Sequence, residues 1–453
     1  MSSSVKKITI QKKVQHKKLW VLLVCLLTLN SAAVRAESMY EVITFALKNH
    51  PAIEGALAAQ EAARQDSKAE RAQYYPELSA SLAFGRVYQD NATSRGLSIE
   101  RGAAYSGYGE GNIALRQMLF DGRVTQNRLD SAQANERASH FSLLEERSNV
   151  TLTVVQSYIE ILKLRSALQL LSAQTGEIEN YLQRIKDMVR QGMSDEAELQ
   201  QAQDVAMVMD SFKAEYEGQL ITAQAAYTEA VGQAVPRILD VPDSMHSYVE
   251  LDLDEVIKKA RSNHPLIRAA YMRSQAAKYV MEAEESGLFP NVSGELMHNK
   301  TDKRDVIGGE SVDSRALVKM NWSFSTGGRQ LSSIERKKAE YLESLNKLKE
   351  VKRAVERGIR EAYARYLTFW RKAELSEKRV ELNRNLLVTY KNQFESSRIS
   401  QLALMRAQSQ LFRAQLEAND NSFNLLAAQY DVLAARGEIT KIIFASAQPA
   451  AQQ

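Results

Sequence analysis

Proline is missing from residues 124–231 and again from residues 330–436, and this double absence restricts the chain more than any other feature. A proline inside a helix costs about 3 kcal/mol. Two proline-free stretches of this length therefore permit helices far longer than a compact domain uses, and glycine is scarce in them too. Apolar residues follow a 3,4 ladder in the first stretch: Val154, Ile161, Leu164, Leu168, Leu171, Ile178, Leu182, Ile185 and Val189. Tyr366, Phe369, Val380, Leu387, Tyr390 and Phe394 hold the same register in the second. A sustained repeat near 3.5 residues marks helices packed along a supercoiled seam. Residues 125–190 would make roughly 100 Å of helix at ~1.5 Å per residue.

The ladder recurs because the chain is written twice, and a repeat of this kind decides the architecture before any single motif does. Asn49-His50-Pro51 returns as Asn263-His264-Pro265, and Pro76 returns as Pro290, both 214 residues on. Gly122-Arg123 matches Gly328-Arg329 at an offset of 206, and Tyr158 and Gly232 match Tyr363 and Gly437 at 205. The shrinking offset places length changes between Pro76 and Gly122, in loops. The expected layout is a signal peptide over 1–36 and a first repeat over 37–232 (helix, two strands, long helical hairpin). A linker over 233–253, a second repeat over 254–440 and a flexible tail over 441–453 follow.

Both ladders break at corresponding places. Gln191-Gly192-Met193-Ser194 interrupts the first, with Gly192 expected as a C-cap and Ser194 as the N-cap of the next helix. Asp195, Glu196 and Glu198 then crowd a first turn, where the helix dipole favours acids. Ser397-Arg398-Ile399-Ser400 plays this part in the second half, with Ser400 as the cap. Each half thus ends in a helical hairpin.

The segments after Pro76 and Pro290 alternate with period two. Leu78, Ala80, Leu82 and Phe84 interleave with Ser79, Ser81, Ala83 and Gly85. Val318, Met320, Trp322 and Phe324 interleave with Lys319, Asn321, Ser323 and Ser325, and residues 113–119 and 291–298 give weaker versions. Such alternation predicts strands with one apolar face. Turn-rich stretches, Gln89–Gly111 and Asn299–Asp313, separate each pair, so the chain carries two strand hairpins. Their lengths suffice to cross a membrane when tilted. Four strands cannot close a barrel, since bacterial barrels begin at about eight. Several copies must share one if these strands span a bilayer.

The N-terminus reads as a secretory signal: basic to Lys18, apolar from Leu19 to Leu29, then small residues ending in Val34-Arg35-Ala36. Its seven Lys/Arg face no acid. Without them 52 basic residues (59 less seven) stand against 55 acidic ones, a balance of −3. Nucleic acid is therefore excluded as a partner on charge. The only cysteine, Cys25, lies inside this segment after Val24, where a lipid-anchored protein would carry a small residue. Cleavage after Ala36 leaves no thiol for a disulfide or a metal.

At this point the pattern resembles the TolC-like outer-membrane factors of Gram-negative bacteria. The residues that carry the resemblance are the paired Ala46-to-Pro51 and Ala260-to-Pro265 motifs, and Tyr75-Pro76-x-Leu78 with Phe289-Pro290-x-Val292. Leu119-Phe120-Asp121-Gly122-Arg123 with its partner Phe324-to-Arg329, and the two long hairpins, complete it, over roughly residues 38–440. The resemblance implies a mainly α chain with a small β part. Duplicated hairpins would form a periplasmic α-barrel, and four strands per chain would enter a homotrimeric, twelve-stranded outer-membrane β-barrel. It implies work with a periplasmic adaptor (membrane fusion) protein and an inner-membrane ABC exporter, or an RND pump, in contact with outer-membrane lipid and with no cofactor. The tip that docks the adaptor maps to Gly192, Met193, Ser194, Arg398, Ile399 and Ser400. In this family's best-known member acids just after the second turn narrow the closed tip, whereas Ala403 and Arg406 stand there in this chain. Asp195, Glu198 and Arg406 become the candidate constriction.

No polar constellation points to catalysis. His50 and His264 repeat, but a residue before proline is disfavoured in helix and reads as a boundary. His140, His246 and His298 stand alone, and no H-E-x-x-H, phosphate loop or nucleophile elbow occurs. Among cargoes, the missing anchor cysteine favours protein export by type I secretion (an adhesin, toxin or protease) over drug or metal efflux. A periplasmic coiled-coil rod is a further alternative, and it leaves the duplicated strands unexplained.

Overall fold

The computed structural model describes residues 37–88, 106–249, 252–303, 309–396 and 399–447. The expected signal segment and Arg398 lie outside them. Helices α1 (Met39–Asn49) and α2 (Pro51–Ala72) lead into strands β1 (Glu77–Val87) and β2 (Ser106–Phe120), then α3 (Val124–Arg190) and α4 (Glu196–Val231). A short 3-10 turn at His246–Tyr248 follows. The order then repeats: α5 (Leu253–Asn263), α6 (Pro265–Ser286), β3 (Asn291–Lys303), β4 (Glu310–Asn321), α7 (Arg329–Glu395) and α8 (Gln401–Ala435), with α9 (Ile439–Ala447) at the end.

The long helices α3 and α7 are both 67 residues, and their bounds differ by 205 throughout. The 206 offset expected at Gly122-Arg123 is corrected accordingly. Arg123 has φ 79° and Gly328 has φ 72°, so these two left-handed residues are the equivalent pair. Arginine is strained there, and the Asp121 carboxylate holds the turn by accepting from the N–H groups of Arg123 (3.0 Å) and Thr125 (2.7 Å).

Capping chemistry explains the short helices. Ser38 and Glu41 form a reciprocal capping box at α1, Ser38 N–H to Glu41 Oε2 at 3.0 Å and Glu41 N–H to Ser38 Oγ at 3.3 Å. His50 and His264 are N-caps, each Nδ1 accepting a backbone N–H (Ala52 and Leu266, both 3.2 Å) ahead of a proline at the first helical position. The repeated histidines are therefore boundary residues with a specific job.

The chain divides into two parts. One comprises the described residues of 1–46, 153–244 and 373–427. Its core is the ladder: Leu171, Ile178 and Ile185 of α3 pack with Met209 of α4, Leu387 of α7, and Met405, Leu411 and Phe412 of α8. The other comprises the described residues of 47–152, 245–372 and 428–453. It holds the sheet, in order β1-β2-β3-β4 and antiparallel throughout. Tyr366, Ile359, Tyr430, Val432 and Ile439 are among its buried residues.

Three further expectations are corrected. Ser106–Gly111, Asn299–Lys303 and Glu310–Asp313 belong to strands although they were expected as turns. The reason is cross-strand cover: the Phe84 ring lies 3.5 Å from a Cβ position at Gly109, and Leu82 lies 3.1 Å from one at Gly111. β4 ends at Asn321 rather than at Phe324, because Trp322 turns to donate its Nε1–H to the Leu288 carbonyl (3.1 Å). The segment after 440 is helical to Ala447 rather than a flexible tail, with Ile439 and Ile443 buried.

Candidate functional site: the sheet and the hairpin ends

The register sorts the sheet into two unlike faces. Leu78 pairs with Leu115, Leu115 with Leu296 and Leu296 with Ala316; Ala80 pairs with Ile113, and Gly294 with Val318. One face is therefore dominated by aliphatic side chains, with Leu82 and Phe84 extending it and Lys300 pairing with Glu310 at 2.6 Å near one end. The alternate positions form a polar face. Glu295 there takes both Arg116 (3.7 Å) and Lys319, and Arg315 meets Asp313 (2.5 Å). Every residue of β1 from Glu77 to Arg86 is exposed. Among the described residues β1 and β4 each pair on one side only, leaving two open edges. An exposed apolar face of this extent and two free edges are aggregation liabilities in water. They fit a sheet completed by further strands in lipid, where only helices and closed barrels satisfy the backbone.

Aromatic side chains gather at the ends of these strands. Tyr75, Phe289, Trp322 and Phe324 are exposed, and the Trp322 and Phe324 rings sit 4.7 Å apart. Amphipathic rings of this kind suit a membrane–water boundary.

At the first hairpin end α3 stops in a Schellman turn. Gly192 has φ 72°, its N–H reaches Val189 O (3.0 Å), and Met193 N–H reaches Met188 O (2.8 Å). The next cap is Asp195 and not Ser194: its carboxylate accepts from Glu198 N–H at 2.7 Å. A carboxylate there complements the helix dipole better than a hydroxyl does. Ser194 instead donates its hydroxyl to Glu198 Oε2. Ser400 caps α8 as expected, accepting from Ala403 N–H at 3.2 Å, and Met193 is 62% exposed.

Glu198 and Arg406 do not meet within the chain. Glu198 Oε1 accepts from Leu402 N–H (3.3 Å), tying the first hairpin end to the N-terminus of α8, and Arg406 donates to Gln201 Oε1. The sequence did not show how the hairpins and the linker are tied. Tyr216 donates to Asp420 at 3.0 Å, and burial pushes the Asp420 carboxyl up. The linker is tied to α3: Tyr158 donates to the carbonyls of Asp240 (2.7 Å) and Glu37 (3.0 Å), and Arg165 donates to those of Pro236 and Arg237. Met245 N–H is held by Gln429 (2.7 Å).

A buried pair also appears. His264 and Glu145 approach to 4.0 Å, with side chains 4% and 16% exposed. Burial pushes the Glu145 carboxyl up to about 7, with Glu146 adding to it, and burial pulls the His264 imidazole down to about 4. Among the described residues no cluster of His, Cys, Asp or Glu is arranged to hold a metal, and no helix is long and apolar enough to cross a membrane.

A family model described as "Outer membrane efflux protein" matches residues 42–233 and 256–439. The chain belongs to the outer membrane efflux protein family. Its relatives include the outer membrane efflux protein BepC of Brucella suis biovar 1, 21% identical over 422 residues, 91% of this chain and 88% of its own. Protein CyaE of Bordetella pertussis is 24% identical over 335 residues, 72% of this chain and 68% of its own. Among solved structures, a membrane protein from Pseudomonas aeruginosa superposes with a TM-score of 0.77 at 19% identity, covering 88% of this chain and 93% of that one. The CmeC outer membrane channel of Campylobacter jejuni gives 0.76 at 13% identity, covering 88% and 86%. The open-state MtrE channel of Neisseria gonorrhoeae gives 0.73 at 15%, covering 88% and 89%. The mainly helical fold with a small four-stranded sheet is the fold of these outer-membrane channels. Efflux-family members are channels, not enzymes.

Proposed function

We propose that several copies of this chain close one outer-membrane barrel and form the exit duct of a tripartite export system, with a periplasmic adaptor and an inner-membrane ABC exporter as partners. The observation that carries this reading is the four-stranded sheet, apolar on one face, polar on the other and open at both edges. A closed barrel turns the apolar face to lipid and the polar face to a lumen. Three copies give the twelve strands of the TolC-like arrangement. The helices belong to the periplasm, and the hairpin ends around Gly192 to Ser194 and Ile399-Ser400 dock the adaptor. Glu198 and Arg406 line the constriction, and Glu198→Ala raises the conductance of the closed channel in planar bilayers; an unchanged conductance removes Glu198 from that role.

The cargo is polypeptide passed by type I secretion. Cys25 is the only cysteine and follows Val24, which argues against the lipid anchor common among efflux ducts of the resembling family. A second reading, efflux of small molecules, is favoured by the description of the family and of the Brucella suis relative. Deleting the gene and comparing the surface and supernatant proteome with tolerance to a drug panel separates them. Loss of a few large exported proteins with unchanged tolerance supports secretion. Broad hypersensitivity with an intact secretome makes the chain an efflux duct.

A further inference from the structure

His264 closes α5, caps α6 and has a side chain only 4% exposed. Its Nδ1 accepts the Leu266 N–H at 3.2 Å, and the Ala435 carbonyl at the end of α8 accepts from the ring's other side. The turn after α8 presses on that other side: a Cβ at Gly437 would lie 3.4 Å from Nε2. The neutral ring therefore carries its proton on Nε2 and presents a lone pair at Nδ1. One seam runs from this junction along α6, against α3. Arg273 donates to Ser142 (2.9 Å), Ser131 to the Ala276 carbonyl (3.1 Å) and Asn127 to Ser286 (3.1 Å).

Glu145 of α3 faces that lone pair. Its Oε2 lies 4.0 Å from Nδ1, is closed off from solvent and has no hydrogen-bond partner among the described residues. The charged groups on the surrounding elements are committed elsewhere or carry the same sign. Glu146 stands beside it on α3. Arg261 at the end of α5 pairs with Glu356 (2.7 Å), and Arg268 of α6 lies 5.2 Å over the Phe141 ring. Arg436, after α8, pairs with Glu438 (2.7 Å) and donates to the Tyr248 carbonyl (3.0 Å). A carboxylate in this place is a buried charge set against a lone pair, with no donor to hold it. A carboxylic acid is not, so the geometry keeps a proton on Glu145. The side chain as a whole is 16% exposed, which leaves a short route to water.

We propose that Glu145 is a proton-operated latch that holds α3 to the α5–α6 junction: protonated, its carboxyl stays packed against His264, and ionised, it swings into water and loosens the α3–α6 seam. One proton is taken from water when the latch closes and returned to water when it opens. The direction follows from linkage. The buried acid titrates at about 7 and the same group in water near 4.5. The ratio of open to closed therefore rises about tenfold per pH unit between these values and levels off above the upper one. Acid closes the latch and neutral pH releases it. The His264 imidazole is held neutral down to about 4, so the surface that Glu145 packs against is the same throughout this range. The latch does not rest on the duct reading and holds for the single chain.

The test follows the full chain in detergent by difference infrared spectroscopy from about pH 5 to about pH 8.5, across the window in which a raised carboxyl titrates. The expected result is a protonated-carboxyl C=O band that disappears with a midpoint near 7 and is missing from Glu145→Gln. No such band, or the same band in Glu145→Gln, overturns the proton on Glu145. A second measurement reads the seam. Ser142→Cys with Arg273→Cys is treated with a short bis-maleimide, and its linking at each pH is taken relative to the same pair in the Glu145→Gln background. That ratio should fall several-fold as pH rises to neutrality. An unchanged ratio with the band present leaves a static buried acid and overturns the latch. Glu146→Gln keeps the proposal testable if Glu145→Gln fails to fold. Removing the neighbouring charge should move the midpoint of the band to lower pH, and an unmoved midpoint overturns its assignment to Glu145.

Discussion

At the residue scale, Glu145 and His264 form a buried pair whose titrations are shifted in opposite directions. The Glu145 carboxyl is held up at about 7 and the His264 imidazole down at about 4. Unfolded, the acid titrates near 4.5 and the imidazole near 6.5. Between pH 4.5 and 7 the unfolded state has lost the Glu145 proton that the folded state keeps, so this carboxyl lowers stability as pH rises. Between pH 4 and 6.5 the unfolded state has gained the imidazole proton that the folded state refuses, so His264 raises stability as pH rises. Over the shared window the two slopes oppose, and the net contribution of this pair is nearly flat. Glu145→Gln leaves only the histidine, and its melting temperature should climb from pH 4.5 to 6.5. His264→Asn keeps an N-cap acceptor and leaves only the carboxyl, so its melting temperature should fall from pH 4.5 to 7. Each slope should approach roughly 1 kcal/mol per pH unit. Parallel profiles for all three proteins in calorimetry would refute the assignment.

At the element scale, the glycines that end α4 and α8 are equivalent in sequence but not in surroundings. Gly232 has φ 84° with nothing within 4 Å of a Cβ position, while Gly437 has φ 72° with Pro265 Cδ at 2.6 Å and His264 Cδ2 at 3.2 Å. Gly232→Ala therefore meets only the left-handed penalty, about 1 kcal/mol. Gly437→Ala adds an overpacking cost, roughly 1–3 kcal/mol more. Denaturant unfolding of the two variants should show this ordering, and equal losses would mean that the α8 turn relaxes freely. Residue-by-residue patterning made the helices legible in advance, including their common break points. It missed strand β2 below Ile113 because Gly107, Gly109 and Gly111 look like turn residues until Leu82 and Phe84 are seen lying over two of them. It also misassigned the cap at the first hairpin, since Ser194 and Asp195 are both competent caps and only the backbone decides between neighbours.

At the scale of the whole molecule, the sheet predicts its own environment. Leu82 on the apolar face is 77% exposed in the single chain, and Ser81 beside it points to the polar face. In a lipid-facing barrel Leu82→Arg costs about 2–4 kcal/mol if it lies near the bilayer midplane, and Ser81→Arg is close to neutral. Outer-membrane fractionation should show depletion of the first variant with the second retained. Equal recovery of both would mean that the apolar face does not meet lipid.

Period-two and 3,4 patterning, proline placement and a duplicated motif set are local properties, and they determine which segments become strands and very long helices. That is why the element order, the two hairpins and the boundary histidines could be read from residues alone. Tertiary structure alone decided which copy of each duplicated position is buried. Asn127 and Ser332, or Ser286 and Ala72, occupy the same place in the repeat, yet one of each pair is covered and the other is not. It also brought Glu145 to within 4.0 Å of His264, a pairing across more than a hundred residues of chain. Burial and desolvation depend on what lies across a gap in space, and a repeat written along one chain has a neighbour on each side only once the helices are packed.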